Sequence, residues 1–139
     1  MKLLDGEAVP VRGSVYEDKV ISSHEAGWNY VDTQEDIDFI MREAYGFHDS
    51  VLKKIEYIPD SYIPKAIFTF DIQGSALLEM VCEAVIALNI RRDAGYIFGA
   101  MMFVNDCTIY FCDGYVTGAD TSYNGTWVTS YGLKWRFIK

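Results

Sequence analysis

Residues 127–137 read Trp127-Val128-Thr129-Ser130-Tyr131-Gly132-Leu133-Lys134-Trp135-Arg136-Phe137. Trp127, Thr129, Tyr131, Leu133, Trp135 and Phe137 fall at every second position and share one face of an extended chain. Ser130, Lys134 and Arg136 share the other. A period of two held over this length is the pattern of a half-buried antiparallel strand. It makes the closing third of the chain β.

The pattern continues upstream. Residues 114–125 are rich in Gly, Thr, Ser, Asp and Asn and read as an exposed loop, opened by an Asp113-Gly114 turn. Residues 107–112 form a strand with Ile109 and Phe111 on one face, and residues 96–104 form an apolar strand. Asn105-Asp106 between them is a hairpin signal, because both residue types tolerate positive φ. Residues 66–72 place Phe68, Phe70 and Ile72 inward. In residues 51–58, Val51, Ile55 and Tyr57 share a face opposite Leu52, Lys54, Glu56 and Ile58. Residues 76–90 fit two templates. Residues 76–85 are good helix formers with Glu79 and Glu83 at i,i+4, yet as strands Leu78, Met80 and Cys82 share a face and a turn near Glu83-Ala84 leads into residues 85–90.

One helix stands ahead of the strands, at about residues 34–45. Asp32 or Thr33 can cap it, with Glu35 or Asp36 completing a capping box. Ile37, Ile40, Met41 and Ala44 fall on one face, Asp38 and Arg42 on another, and Gly46 is the stop. The expected architecture is α+β: a largely antiparallel, meandering sheet with one N-terminal amphipathic helix packed on it. The chain is read as a single domain, 1–139, with residues 1–31 as a poorly defined leader. Within that leader residues 8–11 and 15–21 are weak extended candidates and residues 22–27 a loop.

A chain of 139 residues and 15.8 kDa, half of it hydrophobic and 15% aromatic, can bury a core without metals or disulfides. Its formal charge of −8 and pI near 4.6 argue against sequence-independent nucleic-acid binding and against an anionic membrane surface. The first residues lack the apolar run of a signal peptide, so a cytoplasmic location is expected. Three cysteines without regular spacing read as reduced core residues. The charge is uneven. Residues 1–46 hold ten acids against four bases, and residues 47–139 hold ten against eight. The acidity marks an N-terminal face, with Glu35, Asp36, Asp38 and Glu43 on the helix, as the place to meet a basic partner.

For acid–base chemistry the candidates are His48 and Asp49, with His48 as base or ligand contact and Asp49 orienting it. Neighbours on a strand point to opposite faces, so His48-Asp49-Ser50 does not make a triad by adjacency. The competing reading is local: Asp49 or Ser50 capping a helix-to-strand corner, with His48 partly buried. No zinc, calcium or phosphate-loop spacing occurs, so no metal or cofactor is expected. Eleven of the 21 aromatics lie between Tyr96 and Phe137, but Lys134 and Arg136 alone make too small a basic groove for stacking single-stranded bases.

Phe47-His48-Asp49-Ser50 followed by Val51-Leu52-Lys53-Lys54-Ile55-Glu56-Tyr57, then Glu79-Met80, Leu88-Asn89-Ile90, Asn105-Asp106-Cys107-Thr108-Ile109-Tyr110 and Leu133-Lys134-Trp135-Arg136, resemble an uncharacterised family of small bacterial proteins with an F-H-D-S motif after a short helix. The resemblance covers residues 36–137 and implies strands at 77–91. It brings no reaction or ligand. Some relatives look like small acidic immunity proteins that neutralise toxins. The expected function is therefore a non-enzymatic protein–protein interaction module, with a protein partner, a basic toxin among the candidates, or self. The candidate binding residues are Glu35, Asp36, Asp38, Glu43, His48, Asp49 and Arg136. The alternatives are a small-ligand or hydrolytic domain centred on His48 and Asp49, and a structural homo-oligomer subunit.

Overall fold

A computed structural model describes residues 24–59, 63–91, 95–97 and 99–138. The two extended candidates of the leader, at 8–11 and 15–21, lie outside them. In chain order the elements are β1 (Asn29–Tyr30), α1 (Gln34–Glu43), a single turn at Tyr45–Phe47, β2 (Ser50–Ile58), β3 (Lys65–Ile72), β4 (Ala76–Asn89), β5 (Tyr96–Ile97), β6 (Met101–Asn105), β7 (Thr108–Cys112) and β8 (Trp127–Phe137). Among the described residues every strand pairing is antiparallel, in the order β5-β2-β3-β4-β8-β7-β6, with β1 on β8. The α+β reading with a largely antiparallel sheet holds. The helix is shorter than expected and is not the first element, since β1 precedes it.

Thr33 wins the cap. Its hydroxyl accepts from Asp36 N at 3.3 Å while the Asp36 carboxylate accepts from Thr33 N at 3.0 Å. These bonds satisfy donors that the first helical turn leaves open. Ile37, Ile40 and Ala44 are buried as the period requires.

The sheet curls into a half-barrel. Among the described residues its two edge strands are β5 and β6, separated in sequence by residues 98–100. The chain therefore passes from one edge to the other in three residues, and the continuous strand expected over 96–104 is split there. Ala100 N donates to Gly46 O at 3.1 Å, tying this crossing to the corner after the helix. Helix α1 packs against β6 and adds its apolar side chains to the core. At the centre Phe47 meets Phe70 at 4.9 Å and Phe111 at 5.6 Å, both edge-on, an arrangement favoured by the ring quadrupoles.

Three irregularities correct the face assignments. In β2 the register shifts between Leu52 and Lys54. The extra residue puts Leu52 and Ile55 toward the core and leaves Val51 37% exposed. Residues 76–89 form one strand and not two. Ala84, with φ 58°, stands where a turn was expected, and it bends the strand without ending it. Opposite this bend, Ser130 Oγ donates to Gly132 O at 2.9 Å. There β8 changes face, so the single row expected from Trp127 to Phe137 does not exist. Val128, Leu133 and Trp135 enter the central core, Trp127 joins Tyr110 and Cys112, and Tyr131 joins Ala84. The β6–β7 turn falls one residue later than expected, at Asp106-Cys107, with Asp106 at φ 60°.

The loop 113–126 is tied down. Asp113 Oδ1 accepts from Tyr123 Oη at 3.0 Å and from Thr126 N at 3.2 Å, and Tyr110 Oη donates to Asp120 O at 2.7 Å. A Cβ at Gly114 would collide with the Tyr123 hydroxyl, so glycine there is a seat for that ring.

Burial pushes the Cys82 thiol up to about 12 from an ordinary 9.0, and burial together with the bond to Asp113 pushes Tyr123 up to about 12 from 10.0. Both groups hold their protons more tightly folded than unfolded. Unfolding above pH 9 therefore releases protons and is favoured as pH rises. The contribution of these two groups is expected to be level below about pH 9 and to be lost toward pH 12, each at no more than about 1.4 kcal/mol per pH unit. Urea denaturation at a series of pH values checks this, and Cys82→Ala should flatten the first part of the decline.

Candidate functional site

The corner between α1 and β2 carries His48 and Asp49, and its backbone is unusual. Tyr45, Gly46, Phe47 and Asp49 have φ of 54°, 63°, 61° and 56°. Left-handed backbone costs a residue with a side chain about 1–2 kcal/mol, and only a surrounding structure that over-determines it keeps it in place. Here the anchor is Phe47, whose ring is fully buried. The turn throws Tyr45 outward, 60% exposed, and leaves both His48 and Asp49 on the surface.

Two tyrosines from distant segments meet this pair. The Tyr115 hydroxyl lies 3.2 Å from His48 Nδ1, and Tyr96 Oη donates to Asp49 Oδ1. The bond to the Asp49 carboxylate raises the Tyr96 phenol above its usual value. A Cβ at Gly99 would collide with the Tyr115 hydroxyl, and the His48 ring lies against Gly46. Gln73 Nε2 and the buried Ser50 hydroxyl both donate to His48 O. The corner thus brings together two of the candidate residues and supplies partners that sequence spacing could not reveal. It holds them in the open, where water screens their charges.

Arg136 lies elsewhere, on the opposite face of the sheet from the core. Its guanidinium pairs with Glu79 at 3.0 Å and lies 4.0 Å from the centre of the Trp28 ring. Lys134, only 8% exposed, is its neighbour: its ammonium bonds Glu25 at 3.1 Å and Glu83 at 3.5 Å and lies 4.7 Å from the same ring. Burial alone would lower the Lys134 amine, but the bond to Glu25 and the Glu83 charge outweigh it and the net shift is upward. Residues 24–30 are therefore clamped to β8 by cations under an indole.

That clamp builds a cleft of about 380 Å³, lined by His24, Glu25, Trp28, Asn29, Tyr30, Asp32, Asp36 and Phe39. His24 stacks on Tyr30 with ring centres 3.8 Å apart, and its Nε2 is 3.5 Å from Asp32 Oδ2. Burial raises the Asp32 carboxyl above its usual value, His24 opposes that shift, and Asp36 adds to it. Glu35, Asp38 and Glu43 are exposed on α1, whose N-terminal end forms one wall. Two smaller clefts, of about 250 and 220 Å³, lie beside Cys107 and Tyr45. None of the three is lined by His48 or Asp49.

The first cleft was not found by motif. The signal available was compositional: the acid-rich stretch contains Trp28, Tyr30 and Phe39, but only folding places them around Asp32. Among the described residues no group of three or more His, Cys, Asp or Glu is gathered so as to hold a metal, and no helix is long and apolar enough to cross a membrane. No family model, curated protein or solved structure matches the chain.

Proposed function

We propose that this protein is a non-enzymatic protein–protein interaction module that receives a basic partner on the acidic face of residues 24–43, in the manner of an immunity protein neutralising a basic toxin. The observation that carries this reading is the placement of charge. Glu25, Asp32, Glu35, Asp38 and Glu43 are exposed and Asp36 half-buried, while Arg42 is the only lysine or arginine in the same stretch. Glu25, Asp32 and Asp36 line a cleft, and Glu35, Asp38 and Glu43 continue the acids along one helix. Such a field speeds encounter with a cationic surface and rejects acidic ones. The hydrolytic reading of His48 and Asp49 has less support, since both are exposed and outside the clefts described.

Tagged full-length protein presented to a lysate of the source organism is expected to retain a partner of high pI. The partner should come off as salt rises from about 0.1 to 0.5 M, because exposed charges are screened over that range. The double variant Glu35→Lys, Asp38→Lys, at two exposed helix positions, should retain it at least about tenfold less well. An acidic partner, retention indifferent to the charge reversal, or a chain that captures nothing and runs as a monomer overturns the reading.

A further inference from the structure

The cleft at the start of the acidic face has a chemistry narrower than charge alone. Trp28, Tyr30 and Phe39 give it aromatic walls, and Glu25, Asp32 and Asp36 give it carboxylates. Of these carboxylates Glu25 bonds the Lys134 ammonium, which is shared with Glu83, Asp32 lies 3.5 Å from His24 Nε2, and Asp36 accepts from the backbone of Asp32 and Thr33. A second observation is independent of the acids: the protein already uses two of these rings as platforms for cations. Arg136 and Lys134 lie on Trp28, and Arg42 lies over Phe39 at 5.5 Å. Lys134 and Arg136 are two residues apart on one face of β8, so both approach Trp28 from the sheet side. The ring lines the cleft as well.

We infer that this cleft is the receptor for an arginine side chain of the basic partner, its guanidinium lying among Trp28, Tyr30 and Phe39 and bonding the Asp32 carboxylate. This rests on the interaction-module reading and adds to it the residue that is recognised. Arginine fits better than lysine for a stated reason. A planar guanidinium stacks on rings and presents a fork of donors to a carboxylate, whereas an ammonium is a compact, strongly hydrated point charge. Asp32 is the carboxylate best placed to respond. Its backbone N–H donates to Asp36 at 2.8 Å, but its side chain is outside the capping box. Asp32→Asn therefore removes the charge and leaves the helix start intact.

The test is a titration of the full chain with a short peptide carrying one central arginine, followed by the indole signal of Trp28 and the ring signals of His24 in NMR. The matched peptides carry lysine or citrulline, and free agmatine is the fourth probe. The arginine peptide should shift the Trp28 and His24 signals, the citrulline peptide should not, and Asp32→Asn should weaken binding about tenfold. Equal binding of the lysine peptide overturns the guanidinium assignment. Agmatine binding as tightly as the peptide makes the site one for a small free cation and overturns the partner assignment. Partner capture lost in Glu35→Lys, Asp38→Lys but unchanged in Asp32→Asn overturns the cleft while leaving the acidic-face reading standing. Loss of partner capture in neither variant overturns both.

Discussion

Phe47→Ala is expected to destabilise the protein by about 4 kcal/mol, the middle of the range for deleting a buried phenyl ring. The ring is fully buried and meets Phe70 and Phe111 edge-on, with other core side chains packed around it. Part of that loss should be offset, because Phe47 holds a left-handed turn in which Tyr45, Phe47 itself and Asp49 adopt costly backbone, and removing the ring lets that strain go. Without the ring as anchor, the corner has reason to relax. The bonds from Tyr115 to His48 and from Tyr96 to Asp49 should then weaken together. Urea denaturation measures the first effect. The tyrosine hydroxyl and His48 ring signals in NMR measure the second. A variant that loses the stability but keeps both hydrogen bonds would show that the corner holds itself. Tyr45→Gly is the matching control, since glycine adopts the same φ without a Cβ penalty, and it should leave stability unchanged or slightly raised.

Lys134→Ala should cost about 2 kcal/mol, below the 3–5 typical of breaking a fully buried ion pair because the Glu25 carboxylate is open to water and can rehydrate. Glu25 has 64% of its side chain exposed and Glu83 only 14%, so Glu83 is the acid left stranded. The same substitution removes one cation from beneath Trp28 and frees residues 24–30 from β8. Thermal unfolding checks the stability. The double variant Lys134→Met, Glu83→Leu should recover most of it, because a well-packed apolar pair needs no charge partner. Trp28 fluorescence should still change in that double variant, because the ammonium is gone from the ring.

Much of the local structure was legible in the residues. A capping box at the helix start, the buried face of α1, and Phe68, Phe70 and Ile72 on β3 follow from period and from side-chain chemistry, while the choice of Thr33 over Asp32 and of Asp36 over Glu35 came with the fold. The face changes were not legible. Bulges at Lys53 and beyond Val85, and left-handed Ala84, insert or rotate one residue, and a period of two carries no warning of where that happens. The His48–Asp49 pair was visible as a motif, but Tyr96 and Tyr115 were not, because each is dozens of residues away: Tyr96 reaches the corner through the pairing of β5 with β2, and Tyr115 by lying against Gly99.

The sequence by itself determined the composition of this protein's surfaces: an acid-rich N-terminal stretch carrying one amphipathic helix, and an apolar, strand-forming remainder. The tertiary structure alone decided how those surfaces close. Lys134 and Arg136 read as a polar edge of a strand, yet the fold buries Lys134 beneath Trp28 and so folds the residues after His24 into the wall of a cleft. Local periodicity records the geometry of each residue and its neighbours. Which segments then meet depends on pairings across a hundred residues, and those are set by the curl of the whole sheet.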